Sequence, residues 1–395
     1  MKKVFWLSII LLLVHNVQAQ KFTYGKVTKE DFAGQSYPQD TSAIAAVLYK
    51  KTRCYFVYNE KSGFDCHTEN IVRIRIYKNP GLEYANFDVP YYVGWTNINP
   101  DVVSFKDCYT HNLVNGKVER TKLNSEGSFK ETLNEYWKKK TITMPNVTVG
   151  SIIDIKYTTK SESISKLPDF QFQYDIPVYY ASYTSEVPEI YDYKKILRGY
   201  LDISPRQKLE QRKQSYDVKV ENTKVNQVMD YRAVVTDYEI YDVPALVEEP
   251  FVDNIENYRS MLEQELQSIR AIDPKDNKYF SITWEDVAKN IYKEDRFGKQ
   301  VEARNYFETE INALIKDDEP QKQKMEKVFQ FVQNRMNWNK GYGSLTRDGV
   351  SKAYQNRVGN VAEINFMLIA MLNHVGLNAS PVILSTRSNG QMLIP

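Results

Sequence analysis

The 395-residue chain has few of the side chains that most often carry chemistry, with three cysteines and four histidines. The cysteines, Cys54, Cys66 and Cys108, all lie in the first third, and none has metal-ligand spacing. The histidines are scattered along the sequence. Because structural zinc sites gather cysteine and histidine ligands from short, regular spacings, we expect no zinc site and predict no metal or cofactor.

The sequence also lacks an excess of charge of one sign and a long apolar run beyond its N-terminus. Lysine and arginine total 52 against 50 aspartates and glutamates. Nucleic acid is therefore not an expected partner, because phosphate binding needs a concentrated basic face. A membrane-spanning helix needs about 20 apolar residues, and we expect none after the N-terminal segment. The 42% of hydrophobic residues argues against disorder.

The N-terminus, MKKVFWLSIILLLVHNVQAQ, is typical of a secretory signal peptide. Two lysines precede the apolar run Val4–Val14, and Val17 and Ala19 stand before Gln20 at positions that suit signal peptidase. We predict a signal peptide over residues 1–19, cut after Ala19, and hence an exported protein. An uncleaved membrane anchor is the alternative.

From about residue 45 to 245 the pattern is that of β-strands. In IVRIRIYK, apolar residues alternate with Arg73 and Arg75, and SIIDIKYTT repeats this period of two. Such alternation indicates half-buried strands with one wet face. Asn115-Gly116 suits the positive φ angles of a type I′ hairpin turn. We predict an antiparallel β-sandwich over residues 20–275.

Two features of this region leave alternatives open. Cys54 and Cys66 could meet in a disulfide across a hairpin around Asn59–Gly63, or they could be buried free thiols. The 29 tyrosines concentrate here. They could stack on sugar rings, or they could fill the half-buried strand positions that suit tyrosine.

Helical periodicity follows from about residue 283. Thr283 is a candidate N-cap, a helix is predicted over residues 300–316, and another is predicted to begin near Pro320. In this last helix a stripe of apolar residues at spacings of 3 and 4 is expected to face a core. The stripe consists of Met325, Val328, Phe329, Val332 and Met336.

A further helix is predicted to begin after Asn360. Asn360 and Glu363 form a capping-box pattern, the helix is apolar around most of its surface, and Gly376 suits its end. The helix should therefore be central to its domain. The run from Ser380 to Thr386, SPVILST, indicates a buried strand after it.

The segment from about Gln321 to Arg387 resembles the core of the transglutaminase-like superfamily, an α+β fold related to papain-like cysteine peptidases. The resemblance is carried by DGVSKAYQNRVGN, by the run Gly359–Glu363 before the apolar helix, and by Gly376 and ASPV after it. IVRIRIYKNPGLEYANFDVPYY and LPDFQFQYDIPV resemble an all-β domain of unknown function that precedes such cores in Gram-negative envelope proteins. The resemblance implies a periplasmic or outer-surface location.

Val361 departs from the family pattern, because it stands where the resemblance places the catalytic cysteine. Valine cannot attack a carbonyl, and the sequence has no cysteine beyond Cys108. His374 falls about three turns further along the helix, at its end. The sequence stops at Pro395, before the family's histidine and acid strands. We therefore expect a transglutaminase-like domain over residues 280–395 that is C-terminally incomplete.

These patterns favour a non-catalytic envelope protein that binds a peptide, protein or glycan. No catalytic residue is predicted, and Asn360 and Glu363 are the candidate binding residues as well as helix caps. One alternative is an active enzyme, either of the transglutaminase or peptidase type or a glycan-active one with paired carboxylates. Another is a sugar-binding module, which would need exposed tyrosine or tryptophan rings aligned on one sheet face.

The first prediction concerns export. Expression of the full chain in a Gram-negative host should yield an envelope protein whose first residue is Gln20, because signal peptidase cuts after Ala19. Intact-mass measurement with N-terminal sequencing checks this. A fractionated protein that retains Met1 would contradict it.

Overall fold

The computed structural model describes residues 22–94, 97–220, 223–271, 273–280 and 283–391. The predicted signal peptide, residues 1–19, lies outside these ranges. The chain is a mixed protein, richer in strand than in helix, and is consistent with the predicted β-rich, multidomain α+β class. It divides into two units, Met1–Asn277 and Lys278–Pro395. Among the described helices, none is both long enough and apolar enough to span a bilayer.

The first unit is built of strands. They are β1 (Ala45–Asn59), β2 (Gly63–Ile76), β3 (Asn86–Tyr92), β4 (Val102–Phe105), β5 (Tyr109–Val114), β6 (Lys117–Lys122), β7 (Ser128–Thr132), β8 (Trp137–Thr143), β9 (Ile152–Ser161), β10 (Lys166–Gln171), β11 (Val178–Pro188), β12 (Tyr191–Arg198), β13 (Arg206–Val220), β14 (Thr223–Val243) and β15 (Met261–Ile269).

The main sheet has the order β13-β14-β11-β1-β2-β9-β5-β6, with β4 also paired to β9. The turn between β5 and β6 has φ of 49° at Asn115 and 71° at Gly116, so the predicted hairpin is confirmed. The pairs in this sheet are antiparallel except for β1 and β11, which run parallel. The prediction of a purely antiparallel arrangement is wrong at this pair. Parallel neighbours require a long crossover, and here it runs through β2 to β10.

Two smaller sheets complete the strands of this unit, one of order β10-β15-β12 and one of order β3-β8-β7. Side chains from the main sheet and from the β10-β15-β12 sheet share one apolar core, which includes Phe56, Phe172, Tyr183 and Leu262. Burial of these large side chains supplies most of the favourable free energy of folding here, at roughly 25 cal/mol per Å² of apolar surface.

Cys54 and Cys66 lie in the core on the β1–β2 hairpin, whose ends meet at Asn59 and Gly63. Their sulfurs are 3.6 Å apart and both thiols are free, as is Cys108. The hydrogen bond to Cys54, together with burial, raises the pKa of the Cys66 thiol. Of the two alternatives, the structure therefore contains the buried free thiols.

The strands β2 and β9 do not have the wet face that their alternation predicts. Val72 and Ile74 are buried, but Arg73, Arg75 and Asp154 on the opposite faces are buried as well. The prediction fails because the segment preceding β1, residues 22–34, lies over these side chains. The alternation identified the strands correctly, but it could not reveal a cover from elsewhere in the chain.

Arg73 and Asp154 form the centre of this covered face. The guanidinium donates to both carboxylate oxygens of Asp154, at 2.7 and 2.8 Å, and also to the backbone carbonyls of Thr23 and Lys26. Asp154 accepts a further hydrogen bond from the Gly25 N–H at 3.0 Å. Its second oxygen lies 3.1 Å from Nε2 of His111. The pair therefore ties the start of the described chain to two strands of the main sheet.

The second unit is mainly helical. Its elements are β16 (Lys278–Tyr279), α1 (Trp284–Lys293), α2 (Gly298–Glu302), α3 (Glu308–Leu314), α4 (Gln321–Arg335), β17 (Asn337–Trp338), α5 (Val350–Asn356), β18 (Val358–Gly359) and α6 (Val361–His374).

The predicted helix starts are confirmed. Thr283 caps α1 by accepting a hydrogen bond from the Asp286 N–H at 3.1 Å, and α4 begins directly after Pro320. The central helix is α6, which contacts α2, α3, α4 and α5 and buries Phe366 and Met367. Its end at His374 is followed by Gly376 with φ of 83°.

Two predictions for this unit are wrong in part. The helix over residues 300–316 is two short helices, α2 and α3, because the backbone is extended at Ala303. This break turns the neighbouring Tyr306 and Phe307 rings to different partners, Tyr354 and His374. In α4, Val328 and Val332 are buried, whereas Met325 and Phe329 of the predicted stripe are exposed.

The predicted buried strand over residues 380–386 is also wrong. The segment has no strand structure, and Val382 and Leu384 are 75% and 77% exposed. A strand needs a hydrogen-bonding neighbour, and no strand within residues 283–391 pairs with this segment. An apolar run by itself cannot show whether such a neighbour exists.

The second prediction concerns Asp154. Asp154→Asn should lower the free energy of unfolding by about 3–5 kcal/mol, because it leaves the buried charge of Arg73 uncompensated. Urea denaturation measures this change. The control is Asp107→Asn, which removes an exposed partner of Lys122 and should have a much smaller effect. Equal losses for the two variants would contradict the prediction.

The same carboxylate should make the protein acid-sensitive. Burial by itself would raise the pKa of Asp154, but hydrogen bonds and charges from Arg73 and His111 outweigh it and hold the pKa below its usual value. Its stabilising contribution is therefore complete above the unfolded pKa of about 3.9 and is lost as the pH falls further. Below about pH 4, stability should fall more steeply in the wild type than in Asp154→Asn.

Candidate functional site

The start of α6 contains the predicted capping box. The Asn360 side chain accepts a hydrogen bond from the Glu363 N–H at 2.8 Å, and the Glu363 carboxylate accepts one from the Asn360 N–H at 2.8 Å. These bonds satisfy backbone donors that every helix start leaves without a partner inside the helix. Both residues are buried. Asn360 therefore lies at the cap position, with Val361 as the first helical residue.

Glu363 also holds the loop that precedes α5. Its other carboxylate oxygen accepts hydrogen bonds from the backbone N–H groups of Arg347 and Asp348, at 2.9 and 2.8 Å. Gly359 makes this packing possible, because a Cβ at that position would lie 3.1 Å from Cβ of Glu363. The glycine and the acid of the sequence motif thus form one packed unit, in which the carboxylate bonds three backbone donors.

Val361 lies at the leading edge of α6 with its side chain partly buried. Its backbone N–H donates to the carbonyl oxygen of Gly341 at 3.2 Å. The indole Nε1 of Trp338 donates to the same carbonyl at 2.9 Å. An N–H at a helix start can stabilise a nearby anion, such as a thiolate or an oxyanion. At Val361 that donor already has an intramolecular acceptor.

The loop over this helix start, residues 338–342, was not identified from the sequence. The short strands β17 and β18 pair in parallel, so that Trp338 lies beside Gly359. The Trp338 and Tyr342 rings are 5.0 Å apart and edge-to-face, and Tyr342 is 79% exposed. The signal available in the sequence was WNKGY, with two aromatic residues four apart around a glycine.

The sequence of this unit, residues 278–395, contains no cysteine and one histidine, His374. His374 lies at the C-terminal end of α6, about 20 Å from Val361 by helical rise. Its Nε2 is 2.7 Å from Oδ1 of Asn312, and it lines a cavity of about 280 Å³ with Lys324. Across the described residues, no three histidine, cysteine, aspartate or glutamate side chains form a group that could hold a metal ion.

The sugar-binding alternative depends on aromatic rings in the first unit. Tyr49, Tyr180 and Tyr241 stand side by side on the neighbouring strands β1, β11 and β14, with ring centroids 5.0 and 4.8 Å apart. Tyr241 is exposed, and the other two are half-buried. The rings are tilted by 30° and 51° to one another. The three rings are thus aligned on one sheet face, but of the three only Tyr241 is exposed, and Tyr49 is stacked against Phe22 with the ring centroids 3.6 Å apart.

Comparison with solved structures gives a likeness of fold. A protein from Parabacteroides distasonis, described provisionally as a protease, has a TM-score of 0.52 and 13% sequence identity. The match covers 85% of this chain and 59% of that one. A protein from Legionella pneumophila, described provisionally as nutrient-binding, has 8% identity and a TM-score of only 0.19, with 84% and 94% of the two chains covered. No protein family and no curated protein matches the chain.

The third prediction concerns the Glu363 carboxylate. Glu363→Ala should destabilise the protein by about 3 kcal/mol or more, because three backbone N–H groups lose their acceptor at about 1–3 kcal/mol each. Urea denaturation measures the loss, and hydrogen exchange locates it at the amides of Arg347, Asp348 and Asn360.

The matched control is Asn365→Ala on the same helix. Asn365 is exposed, and its side chain donates a hydrogen bond to the carbonyl oxygen of Val361, so the change in stability should stay within about 0.5 kcal/mol. Unaltered exchange of the three amides in Glu363→Ala would show that the carboxylate does not hold this loop.

Proposed function

We propose that this chain is an exported, non-catalytic, transglutaminase-like protein of the Gram-negative envelope. Its second unit would belong to the core of that fold, and its first unit would be the β-sandwich domain that precedes such cores. The second unit would bind a peptide or an extended protein segment at the start of α6. The observation that carries this proposal is Val361, an aliphatic residue at the first position of a helix whose caps are intact.

The hydrogen bonds around Val361 support a binding role rather than catalysis. Thiol chemistry at a helix start uses the positive end of the helix dipole and free N–H donors to stabilise negative charge. Here the Val361 N–H is bonded to Gly341, and the Glu363 carboxylate is bonded to three backbone N–H groups. The Val361 N–H and the Glu363 carboxylate therefore already have hydrogen-bond partners in the backbone, and these bonds hold the backbone in place.

The aromatic rings beside this helix start support a peptide as the ligand. Trp338 and Tyr342 present a partly exposed apolar surface, and tyrosine and tryptophan are the residues that contribute most often to binding energy at interfaces. A protein of similar fold is described provisionally as a protease, a class that accepts peptides as substrates. Loss of a nucleophile does not by itself remove a surface that binds an extended chain.

The fourth prediction tests the binding surface. Among unstructured peptides screened against the wild type, those that bind should bind Trp338→Ala or Tyr342→Ala about tenfold more weakly, since tenfold corresponds to about 1.4 kcal/mol. Fluorescence anisotropy with labelled peptides measures the affinity. Trp284→Ala, which removes an exposed tryptophan on α1, is the matched control and should bind as the wild type does.

The same preparations test the absence of catalysis. The wild type should show no peptide hydrolysis and no incorporation of a primary amine into a glutamine peptide, and iodoacetamide should change nothing. An activity that is lost on alkylation, or lost when Val361 is replaced, would refute the non-catalytic part. Equal binding by Trp338→Ala and Trp284→Ala would refute the proposed surface.

A further inference from the structure

A cavity of about 710 Å³ opens on the first unit, and all of its lining residues belong to that unit. It lies between the end of β2, the β5–β6 hairpin, residues 146–150 and residues 32–35. This volume is within the range of about 300–1,000 Å³ that is typical of small-molecule sites. The cavity is therefore large enough to hold a ligand of modest size.

Arg75 is the one charged side chain among the thirteen described residues that line this cavity. It is buried, and no carboxylate of the described residues lies within ion-pair distance of it. Its two terminal nitrogens donate to four backbone carbonyls, those of residues 31–34, at 2.6–3.0 Å. Its Nε is buried without a hydrogen-bond partner among the described residues.

Among the described residues, therefore, no carboxylate pairs with the charge of Arg75, whose guanidinium carbon lies 4.9 Å from the centroid of the Tyr77 ring. Buried charges in proteins are generally paired, because an uncompensated ion in a region of low dielectric is costly. Arg73, two residues earlier on the same strand, follows that rule by pairing with Asp154. Carbonyl oxygens satisfy the donors of Arg75 but do not neutralise it. The cavity lining is therefore electrostatically complementary to an anion.

The rim of the same cavity is apolar. Leu113, Val114 and Val149 line it and are 44%, 39% and 47% exposed. Scattered exposed apolar residues need no explanation, but three around one cavity form a surface that an apolar ligand would cover. The site thus combines one cation with an exposed apolar rim.

We propose that this cavity binds a small organic anion, a carboxylate attached to an apolar body. The field of Arg75 attracts the carboxylate, and Leu113, Val114 and Val149 cover the apolar part. Two sources share this chemistry: an acyl-chain carboxylate and the free C-terminus of a short apolar peptide. This proposal is independent of the function proposed for the second unit, because it rests on different residues.

The fifth prediction compares charged and neutral probes by isothermal titration calorimetry of the full chain. Octanoate should bind at least about tenfold more tightly than octanamide, which has the same apolar body without the charge. N-acetyl-leucyl-leucine should likewise bind more tightly than its C-terminal amide. The acid that binds more tightly of the two identifies the source of the ligand.

Matched variants locate the binding. Val149→Asp puts a negative charge on the rim and should weaken octanoate binding by about tenfold, while octanamide binding changes much less. Val102→Asp places the same charge at an exposed position of β4 outside the cavity lining and should have little effect. Melting curves of both variants verify that each is folded.

Three results would overturn the proposal. The first is that octanoate and octanamide bind with equal affinity and the two dipeptides also bind with equal affinity. The second is that Val149→Asp and Val102→Asp bind octanoate with equal affinity. The third is that none of the four probes binds measurably to the wild type.

Discussion

One buried carboxylate, that of Glu363, joins two segments of the second unit at the start of α6. By accepting hydrogen bonds from Asn360, Arg347 and Asp348, it fixes the start of the helix and the loop before α5 at the same time. Glycine suits position 359, because a Cβ there would make a close contact of 3.1 Å with Cβ of Glu363. The presence of these residues in the sequence motif is thus explained by the backbone N–H groups whose hydrogen bonds they satisfy. The capping box at this helix start therefore has a structural role that does not depend on the side chain at position 361.

The first unit uses buried arginines in a comparable way. Arg73 and Arg75 lie two residues apart on β2, so their side chains leave the same face of the strand, and both bond carbonyls of residues 23–34. They differ in their electrostatic balance, because Asp154 neutralises Arg73 and no carboxylate of the described residues neutralises Arg75. The two arginines thus have different consequences. Arg73 contributes to stability, and Arg75 contributes to the proposed ligand binding.

Local patterns predicted the elements that depend on local chemistry. The capping box at Asn360, the cap at Thr283, the hairpin at Asn115-Gly116 and the glycine after α6 all follow from bonds within a few residues. The predictions that failed depend on distant partners. The alternation in β2 predicted that Arg75 is exposed, but residues 31–34, which lie outside that pattern, cover it. The apolar run 380–386 predicted a strand, but no described strand pairs with it.

The same limit applies to the candidate site. The positions of Asn360, Val361 and Glu363 on one helix could be predicted, because helix geometry fixes them. The contact between Gly341 and Val361 could not, because it depends on how a loop twenty residues earlier crosses the helix start.

The parallel pairing of β1 with β11 is a fourth case of this kind, and it bears on how the chain acquires its fold. β1 lies in the interior of the main sheet, yet the partner of Val47 is Val178, 131 positions later. One edge of the β1–β2 hairpin therefore has no neighbour until most of the first unit has been synthesised. Pairings of this sequence separation form slowly, and an open strand edge can pair with other chains. A nascent chain of this protein should thus be open to pairing with other chains until β11 is present.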